Sequence, residues 1–323
     1  MAGHRIALIG AGWHSSTHHA PAVAQYRDEH PGAVEIALCD RDAARTAEIA
    51  ERHGFDHRFT DVDTLRDRFR PDAAIVVLPV PIMAEMVAHL LEDAVPLLIE
   101  KPLGENIGQA RRMAAAVRDS GVPVLVSLNR RFDPGLRIAL DWLSARGPLR
   151  MIRGTMLRAR RVDPQFIWST SIHLLDLMCA IAGPLRATDR GGVVDPACMD
   201  GDDSWRMERI EGDHGLAGFV EIMPACGRIM ECVRCAGDHF CLDLFTGTHH
   251  DWRVAGYEEG DCVLDERAPT DQAEHVRNGT YAETEAFLRA VREGMPLPSP
   301  GVDDALASAE LVAVLASGEV RDS

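Results

Sequence analysis

Two glycines near the start of the chain, Gly10 and Gly12, have the spacing of a turn that binds a dinucleotide. They follow the apolar run of residues 6–9 and precede a helical stretch. In such a turn the first glycine permits a tight bend, and the second lets the backbone approach a pyrophosphate. The third position needs a small residue, and Ser15 adds only a hydroxymethyl group there. The pattern predicts a cofactor turn, with a purely structural bend as the alternative.

An acidic residue at the end of the second apolar stretch supports this prediction. Asp40 closes residues 34–40, where a carboxylate would accept a hydrogen bond from the adenosine ribose of a dinucleotide. The same negative charge would repel a 2′-phosphate, which favours NAD as the cofactor. Arg41, the next residue, could hold that phosphate, so NADP is the alternative.

A lysine lies at the predicted carboxyl edge of a parallel sheet, where ligands bind in folds of this kind. The apolar stretch 95–102 ends in Glu100, Lys101 and Pro102. An ammonium group at this edge is either a solvated surface charge or a group directed at the ligand.

A histidine and an aspartate share one face of a predicted helix in the second half of the chain. His173 and Asp176 are three residues apart within residues 170–184, which have apolar residues at helical spacing and a Gly-Pro stop. Near the start of a helix the dipole disfavours imidazolium, so the ring of His173 would stay neutral and could act as a base near pH 7. A structural histidine is the alternative.

The elements that must position these residues alternate between strand and helix in the first half of the chain. This alternation predicts a parallel, doubly wound sheet. The predicted strands are residues 6–9, 34–40, 73–79, 95–102 and 122–129, and the predicted helices are the stretch up to 28, 41–54, 81–94 and about 105–119.

The ordered set of motifs resembles the Gfo/Idh/MocA oxidoreductases along almost the whole chain. The matching stretches are ALIGAGW, HAPAV, EKPLG, NRRFDP, IHLLDLMCAIAGP and ETEAFLRAVREGMPLP. The resemblance implies an α/β protein with an N-terminal NAD(P)-binding Rossmann domain, residues 1–127. It implies a C-terminal α/β domain with a large, mostly antiparallel sheet, residues 128–323, which binds substrate and forms oligomers.

The resemblance also implies roles for the residues named above. Lys101 would contact nicotinamide and substrate, and the peptide bond before Pro102 is commonly cis in the family. His173 would exchange a proton with the substrate hydroxyl, and Asp176 would face the substrate. The activity implied is reversible conversion of an alcohol to a ketone on a sugar, a sugar derivative or a cyclitol.

The motif NRRFDP adds candidates for substrate binding. In some sugar- and cyclitol-oxidising relatives its first arginine contacts the substrate, which corresponds to Arg130, with Asn129 nearby. A structural ion pair is the alternative for Arg131 and Asp133. The predicted cofactor-binding residues, taken together, are Gly10, Gly12, Trp13, His14, Asp40, Arg41, Pro79, Glu100 and Lys101.

One position departs from the family pattern and leaves other functions open. Many members carry an acidic residue four positions before the histidine, and here that position is Ser169. The loss of a carboxylate permits reduction of an imine or another non-sugar carbonyl in a biosynthetic pathway. A nucleotide-binding regulatory protein without turnover is a further alternative, against which the retention of Lys101 and His173 argues.

Two stretches have metal-like composition, but we predict no metal site. Residues 232–241 have a CxxC spacing that suits zinc, yet their flanks predict two strands with buried cysteines. Residues 14–19, HSSTHH, are better explained as a cofactor loop and helix, because no carboxylate or cysteine nearby in the sequence completes a site.

The composition excludes some classes of partner. Lys and Arg number 34 and Asp and Glu number 50, a formal net charge of −16. Such a chain would be repelled by nucleic acid and by anionic lipid. Eight cysteines in a chain of 323 residues fit a reduced protein, and no leader pattern is recognisable. We therefore expect a cytoplasmic protein. The family resemblance implies a homodimer or homotetramer that acts on a small polyol or sugar.

Overall fold

The computed structural model describes residues 3–161, 165–188, 192–193 and 205–317. Their contacts group the chain into two units. One comprises the residues up to 128 together with 280–306, and the other comprises 129–279 together with the rest of the C-terminal helix. Each unit has its own sheet and core and is described by itself.

Fifteen strands and eleven helices lie within these described residues. The strands are β1 (His4–Ile9), β2 (Val34–Cys39), β3 (His57–Phe59), β4 (Ala73–Val76), β5 (Leu97–Glu100), β6 (Val124–Ser127), β7 (Leu149–Leu157), β8 (Leu185–Ala187), β9 (Gly192–Val193), β10 (Arg206–Gly212), β11 (Ala217–Met223), β12 (Met230–Gly237), β13 (Phe240–Phe245), β14 (Arg253–Glu258) and β15 (Asp261–Arg267). The helices are α1 (Ala20–Glu29), α2 (Ala43–His53), α3 (Val62–Phe69), α4 (Val80–Leu91), α5 (Ile107–Ser120), α6 (Pro134–Ser144), α7 (Phe166–Ser169), α8 (Ile172–Ala182), α9 (Glu274–Arg277), α10 (Thr280–Glu293) and α11 (Val302–Ser317).

The first unit is built on a six-stranded sheet in the order β3-β2-β1-β4-β5-β6, with all strands parallel. This order is that of a doubly wound dinucleotide-binding fold, as predicted. The central strands are continuous apolar runs buried on both faces, and every residue of β4 and β5 is buried. Helix α2 begins at Asp42, whose side chain accepts from the amide of Arg45, and ends at the left-handed Gly54 that the sequence predicts as its cap.

Two elements of this unit are absent from the sequence-based assignment. Strand β3 has three residues, and two of them are exposed, so it lacks the apolar run that marks a buried strand. Helix α3 follows it directly and buries only Leu65 and Phe69. Strand β3 extends the sheet beyond β2, and α3 packs against both of these strands.

Residues 280–306 belong to the first unit, whereas the division at residue 127 assigned them to the second domain. Helix α10 packs against α1, and Ser127 donates a hydrogen bond of 2.8 Å to the buried carboxylate of Glu283. The amide of Val126 donates to the carbonyl of Pro300 at 2.9 Å, so the chain after α10 adds to the edge of the sheet at β6. These pairings join residues far apart in the sequence, and no local pattern reports them.

The second unit contains a nine-stranded sheet in the order β15-β14-β13-β12-β7-β11-β10-β8, with β9 paired to β10. Only the β7–β11 pair is parallel, which agrees with the predicted large, mostly antiparallel sheet. Helices α6 and α8 pack on one face. At Gly154 in β7 an added Cβ would lie 2.2 Å from the sulfur of Met178, so glycine permits the close approach of α8.

No helix among the described residues combines the length and the apolar character that crossing a bilayer requires.

Candidate functional site

The turn after β1 uses its two glycines in different ways. Gly10 adopts φ +105°, and a Cβ there would lie 2.1 Å from the carbonyl oxygen of Val77, so no other residue fits this position. At Gly12 a Cβ would meet no atom within 4 Å. The backbone at Gly12 therefore faces open space, which is what the approach of a ligand phosphate requires.

Ser15, at the third position of the glycine pattern, is buried and begins a π-helical turn, Ser15–His19. The amide of Ala20 closes this turn by donating to the carbonyl of Ser15, five residues back. An α-helix advances about 100° per residue, so side chains five residues apart diverge by about 140°. The wider π-helical turn brings such residues to one side, and here it aligns His14 with His19.

Asp40 joins the turn to the end of β2. One oxygen of its carboxylate accepts from the amide of Ala11 at 2.7 Å, and the other accepts from the amide of Asp42 at 2.9 Å. The carboxylate is therefore held at the carboxyl edge of the sheet, beside the glycine turn.

A cavity of about 430 Å³ opens at this edge, entirely within the first unit. Four of the predicted cofactor residues line it: Gly12, Asp40, Arg41 and Pro79. Sequence reasoning missed the rest of its lining, which is mainly apolar and includes Val62, Leu78, Ile82, Met86, Arg45 and His89. Ile82 and Met86 lie four residues apart on α4 and therefore on one face of the helix, and this spacing was the signal from which they could have been found. The lining combines apolar side chains with two arginines and three carboxylates, those of Asp40, Asp61 and Asp63, and this combination suits an adenosine group.

Trp13 and His14 were also predicted to bind cofactor, and they lie on the turn outside this cavity. Trp13 is 74% exposed and packs edge-on against His18, with ring centroids 5.7 Å apart. The side chain of His14 is 46% exposed.

His14, His19 and Glu100 form a compact cluster. One carboxylate oxygen of Glu100 lies 3.0 Å from Nε2 of His14 and 2.8 Å from Nε2 of His19. The other oxygen accepts from the amide of Lys101 at 3.1 Å. Burial by itself raises the pKa of Glu100, but the two imidazoles outweigh it and hold that pKa well below its usual range. Sequence reasoning missed this cluster, because Glu100 lies 81 residues after His19.

Lys101 follows β5 at the carboxyl edge of the first sheet, half-buried, and the Lys101–Pro102 peptide bond is cis, as the resemblance implies. It is the only lysine among the 34 basic residues of the chain. Every other basic side chain except histidine is a guanidinium, which is planar and larger than an ammonium.

In the second unit, His173 is the second residue of α8 and is 6% exposed, so its place in the first helical turn agrees with the sequence. Asp176 lies one turn further and is fully buried. Its carboxylate accepts two hydrogen bonds from Arg131, at 2.7 and 2.8 Å, and one from Ser308 at 2.8 Å. The predicted ion pair between Arg131 and Asp133 is wrong. Asp133 instead accepts from backbone amides, including that of Gly247 at 2.7 Å.

Arg130 belongs to a buried charged group, which we call the Glu231 cluster, formed by Glu231, Arg130 and Arg158. The guanidinium of Arg130 donates to Glu231 at 3.0 Å and to Asn129 at 2.9 Å. Arg158 donates to the second oxygen of Glu231 at 2.5 Å. Burial raises the pKa of Glu231, but the two arginines outweigh it and lower that pKa to about 2. The guanidinium of Arg130 is thus held by Glu231 and Asn129 within a buried group.

The CxxC stretch forms the strand pair β12–β13, as predicted. Cys232 and Cys235 are buried, and burial raises the pKa of Cys232 to about 12, which keeps the thiol protonated. His239 is exposed at the turn and lies 3.0 Å from Glu259. Protonated thiols are poor metal ligands.

Residues 4–128 match the sequence model of an oxidoreductase family with an NAD-binding Rossmann fold. The chain is 30% identical to D-apiose dehydrogenase of Paraburkholderia graminis over 41% of its own length and 34% of that protein. It is 33% identical to inositol 2-dehydrogenase of Rubrobacter xylanophilus over 32% of its own length and 30% of that protein. The matched stretches thus span about a third of each relative.

Among solved structures, the fold is similar to that of a Gfo/Idh/MocA family oxidoreductase from Vibrio cholerae. The TM-score is 0.77 at 18% identity, with 98% of each chain covered. At this identity the likeness concerns the fold alone, and it extends over both units.

Proposed function

We propose, on the premise that residues 4–128 belong to the Gfo/Idh/MocA oxidoreductase family, that the protein is an NAD(P)-dependent dehydrogenase or reductase. The reaction would interconvert an alcohol and a ketone on a sugar, a sugar derivative or a cyclitol. The observation that carries the proposal is the cavity at the carboxyl edge of the first sheet, with the open backbone at Gly12 and the carboxylate of Asp40. The sugar and cyclitol dehydrogenases among its relatives support the substrate class.

The residues of this cavity fit the adenosine half of a dinucleotide. The space at Gly12 would admit the pyrophosphate, and Asp40 would accept from a ribose hydroxyl, which favours NAD. Arg41 and Arg45 line the same cavity, and together they could bind a 2′-phosphate. We therefore propose NAD as the cofactor, with NADP as the alternative that a parallel titration decides.

Two side chains would carry the chemistry. The bound nicotinamide would accept or donate a hydride at the substrate carbon. Lys101 would stabilise negative charge on the substrate oxygen, and His173 would take or return the hydroxyl proton. Asp176, Arg130 and Asn129 are assigned to the orientation of neighbouring substrate hydroxyls. Asp176 would do this together with Arg131, to which its carboxylate is bound.

We expect Lys101→Ala and His173→Ala each to lower turnover by at least about 100-fold while changing cofactor affinity little. Lys101→Arg keeps the charge but not the compact ammonium, so it should lose most activity as well. The measurement is nicotinamide absorbance with a panel of polyols and sugars, after parallel titration with NADH and NADPH. His214→Ala, at an exposed turn of the second unit, is the control. Unchanged turnover in the Lys101 and His173 variants would contradict the assignment.

The single lysine permits a second test that needs no turnover. An amine-reactive ester can modify only Lys101 and the terminal amine of the chain. Protection of Lys101 by NADH, read by mass spectrometry, would support its position beside the cofactor. Equal labelling with and without a saturating dinucleotide would argue against it.

Ser169 keeps a second activity in consideration, because it replaces an acidic residue frequent in the family. Reduction of an imine or another non-sugar carbonyl needs no carboxylate at this position. Adding imines to the substrate panel distinguishes the two activities. Dinucleotide binding without hydride exchange on any substrate would instead indicate a regulatory protein.

We also infer that the protein is a cytoplasmic homo-oligomer, a dimer or a tetramer. The face of the second sheet opposite α6 and α8 carries the exposed side chains of Met207 and Phe219, flanked by Arg153 and Glu221. Apolar groups within a charged rim are typical of an interface between subunits. The net charge of −16 argues against nucleic acid or an anionic membrane as partner.

A further inference from the structure

We propose that His14, His19 and Glu100 form a binding site for a divalent transition-metal ion, with zinc as the expected metal. Each of the three side chains offers one ligand atom, and these atoms all lie within 4.8 Å of one another. Two imidazoles and one carboxylate, with water in the fourth position, are a known ligand set for zinc. The site lies wholly within the first unit and is adjacent to Lys101, whose amide donates to Glu100.

The distances among the three groups are close to those of a metal site. Ligand bonds of about 2.0–2.2 Å place two ligands of a tetrahedral ion about 3.3 Å apart. The carboxylate oxygen of Glu100 lies 3.0 and 2.8 Å from the two Nε2 atoms, and no two of the three ligand atoms are more than 4.8 Å apart. Binding an ion would require these atoms to adjust to separations of about 3.3 Å. The π-helical turn makes this possible because it sets His14 and His19 on one side.

The three groups differ in burial in a way that suits an exchangeable ion. His19 is fully buried and Glu100 nearly so, while the side chain of His14 is 46% exposed. The exposed side gives an ion a route from solvent and leaves space for a water ligand. Glu100 and His19 supply the rigid part of the site within the core of the first unit.

Neighbouring groups orient the carboxylate of Glu100 by a hydrogen bond, but they offer no such bond to the ring of His19. The amide of Lys101 holds the second oxygen of Glu100 and orients the carboxylate. If Nε2 of His19 binds the ion, its proton moves to Nδ1, which has no hydrogen-bond partner among the residues the structure describes. Loss of the hydrogen bond that normally orients a metal-bound histidine lowers metal affinity by about 10- to 100-fold. We therefore expect an ion that exchanges readily, not one retained through purification.

The test is a zinc titration of metal-free protein in competition with a chromophoric chelator, without dinucleotide or substrate. We expect one zinc ion per chain, and a loss of affinity of at least about 100-fold in His14→Ala and in Glu100→Gln. His57→Ala, at an exposed histidine of the same unit, is the matched control and should bind zinc as the unaltered protein does. Cobalt(II) in place of zinc should give visible absorption bands that disappear in the His14 variant.

Stoichiometric binding with equal affinity in the His14 and Glu100 variants would overturn the proposal, as would no binding to the unaltered protein. Circular dichroism of both variants separates loss of a ligand from loss of the fold. The outcome stands whether or not the chain transfers hydride, because neither dinucleotide nor substrate is present in the measurement.

Discussion

At the scale of single residues, Gly10 and Gly12 are alike in the sequence and different in the structure. Gly10 is required by its backbone angle and by its contact with the carbonyl of Val77. At Gly12 an added Cβ would meet no atom within 4 Å, so the fold itself does not require glycine there. Glycine is therefore required for folding at Gly10, and at Gly12 it is expected to be required for cofactor binding.

We expect Gly10→Ala to lower the free energy of unfolding by at least about 2–3 kcal/mol, because alanine is strained at φ +105° and its Cβ overlaps Val77. Gly12→Ala should unfold like the unaltered protein but bind NADH at least about 10-fold more weakly. Urea denaturation and fluorescence titration measure the two quantities. If Gly12→Ala binds NADH normally, the pyrophosphate does not pass over this turn.

The Glu231 cluster also acts at the scale of residues. One carboxylate, 2% exposed, binds two buried arginines, Arg130 and Arg158. Removal of its charge would leave two buried guanidinium groups without a counter-charge, which is strongly destabilising. The cluster thus ties the turn at residues 129–132 to β7 and β12.

We expect Glu231→Gln to lower the free energy of unfolding at pH 7 by about 3 kcal/mol. The pKa of Glu231 falls from 4.5 to about 2 on folding. Its contribution is therefore complete above about pH 4.5 and is lost as the pH falls towards 2. Urea denaturation from pH 7 down to pH 3 should show the variant and the unaltered protein converging. Asp265→Asn, which removes an exposed ion pair, is the control and should change stability little. A constant difference at all pH values would contradict the argument.

At the scale of elements, helix α10 decides where the first unit ends. It begins 153 residues after the end of β6 in the sequence, yet it packs against α1 and β6. Phe287 on this helix is fully buried, whereas Arg289 is exposed. The helix is therefore a component of the Rossmann unit, although the chain reaches it only after the second sheet.

We expect Phe287→Ala to destabilise the protein by about 3–5 kcal/mol. Hydrogen exchange should accelerate first in peptides from α1 and β6, and less in those from β7 and β12. Mass spectrometry after deuterium labelling distinguishes these segments, with Arg289→Ala as the control on the same helix. Acceleration confined to the second sheet would show that α10 does not support the first unit.

At the scale of the whole molecule, α6 and α8 pack on one face of the second sheet, and Met207 and Phe219 are exposed on the other face. Its ion pairs, such as Arg234 with Asp243 at 2.6 Å, keep the exposed strands polar around Met207 and Phe219. A monomer would leave this face in water. We therefore place the proposed subunit contact here.

We expect Phe219→Lys to shift the protein from an oligomer towards a monomer, because the lysines of the two copies would bring unpaired charges into the contact. Light scattering after size-exclusion chromatography measures the mass. Met295→Lys replaces an equally exposed apolar residue in the first unit and should leave the mass unchanged. An unaltered mass for Phe219→Lys would remove this face from the assembly.

The fold of the first unit was largely predictable because its signals are local. Buried parallel strands are continuous apolar runs, and Gly54 marks the end of a helix by its backbone freedom alone. The assignment failed where the local signal is weak, as in the exposed strand β3, and where the chain returns after a long excursion, as in α10.

The candidate site was likewise predictable only where its residues lie close to the ends of predicted strands or close together in the sequence. Gly12, Asp40, Arg41 and Pro79 line one cavity because each lies within three residues of the carboxyl end of a strand of the same sheet. The partner of Arg131 was not predictable, because Asp176 lies 45 residues away on another element. The sequence offered only the nearby Asp133 as a partner for Arg131.

The sequence by itself determined that the first unit contains a parallel, doubly wound sheet, with a glycine turn after its first strand and a lysine at its edge. Periodicity, steric freedom and turn chemistry act over a few residues and leave a local trace. Only the tertiary structure decided that Glu100 lies between His14 and His19 and that Glu231 lies between two arginines. Such contacts depend on how distant segments pack, and a one-dimensional pattern carries no distance between them.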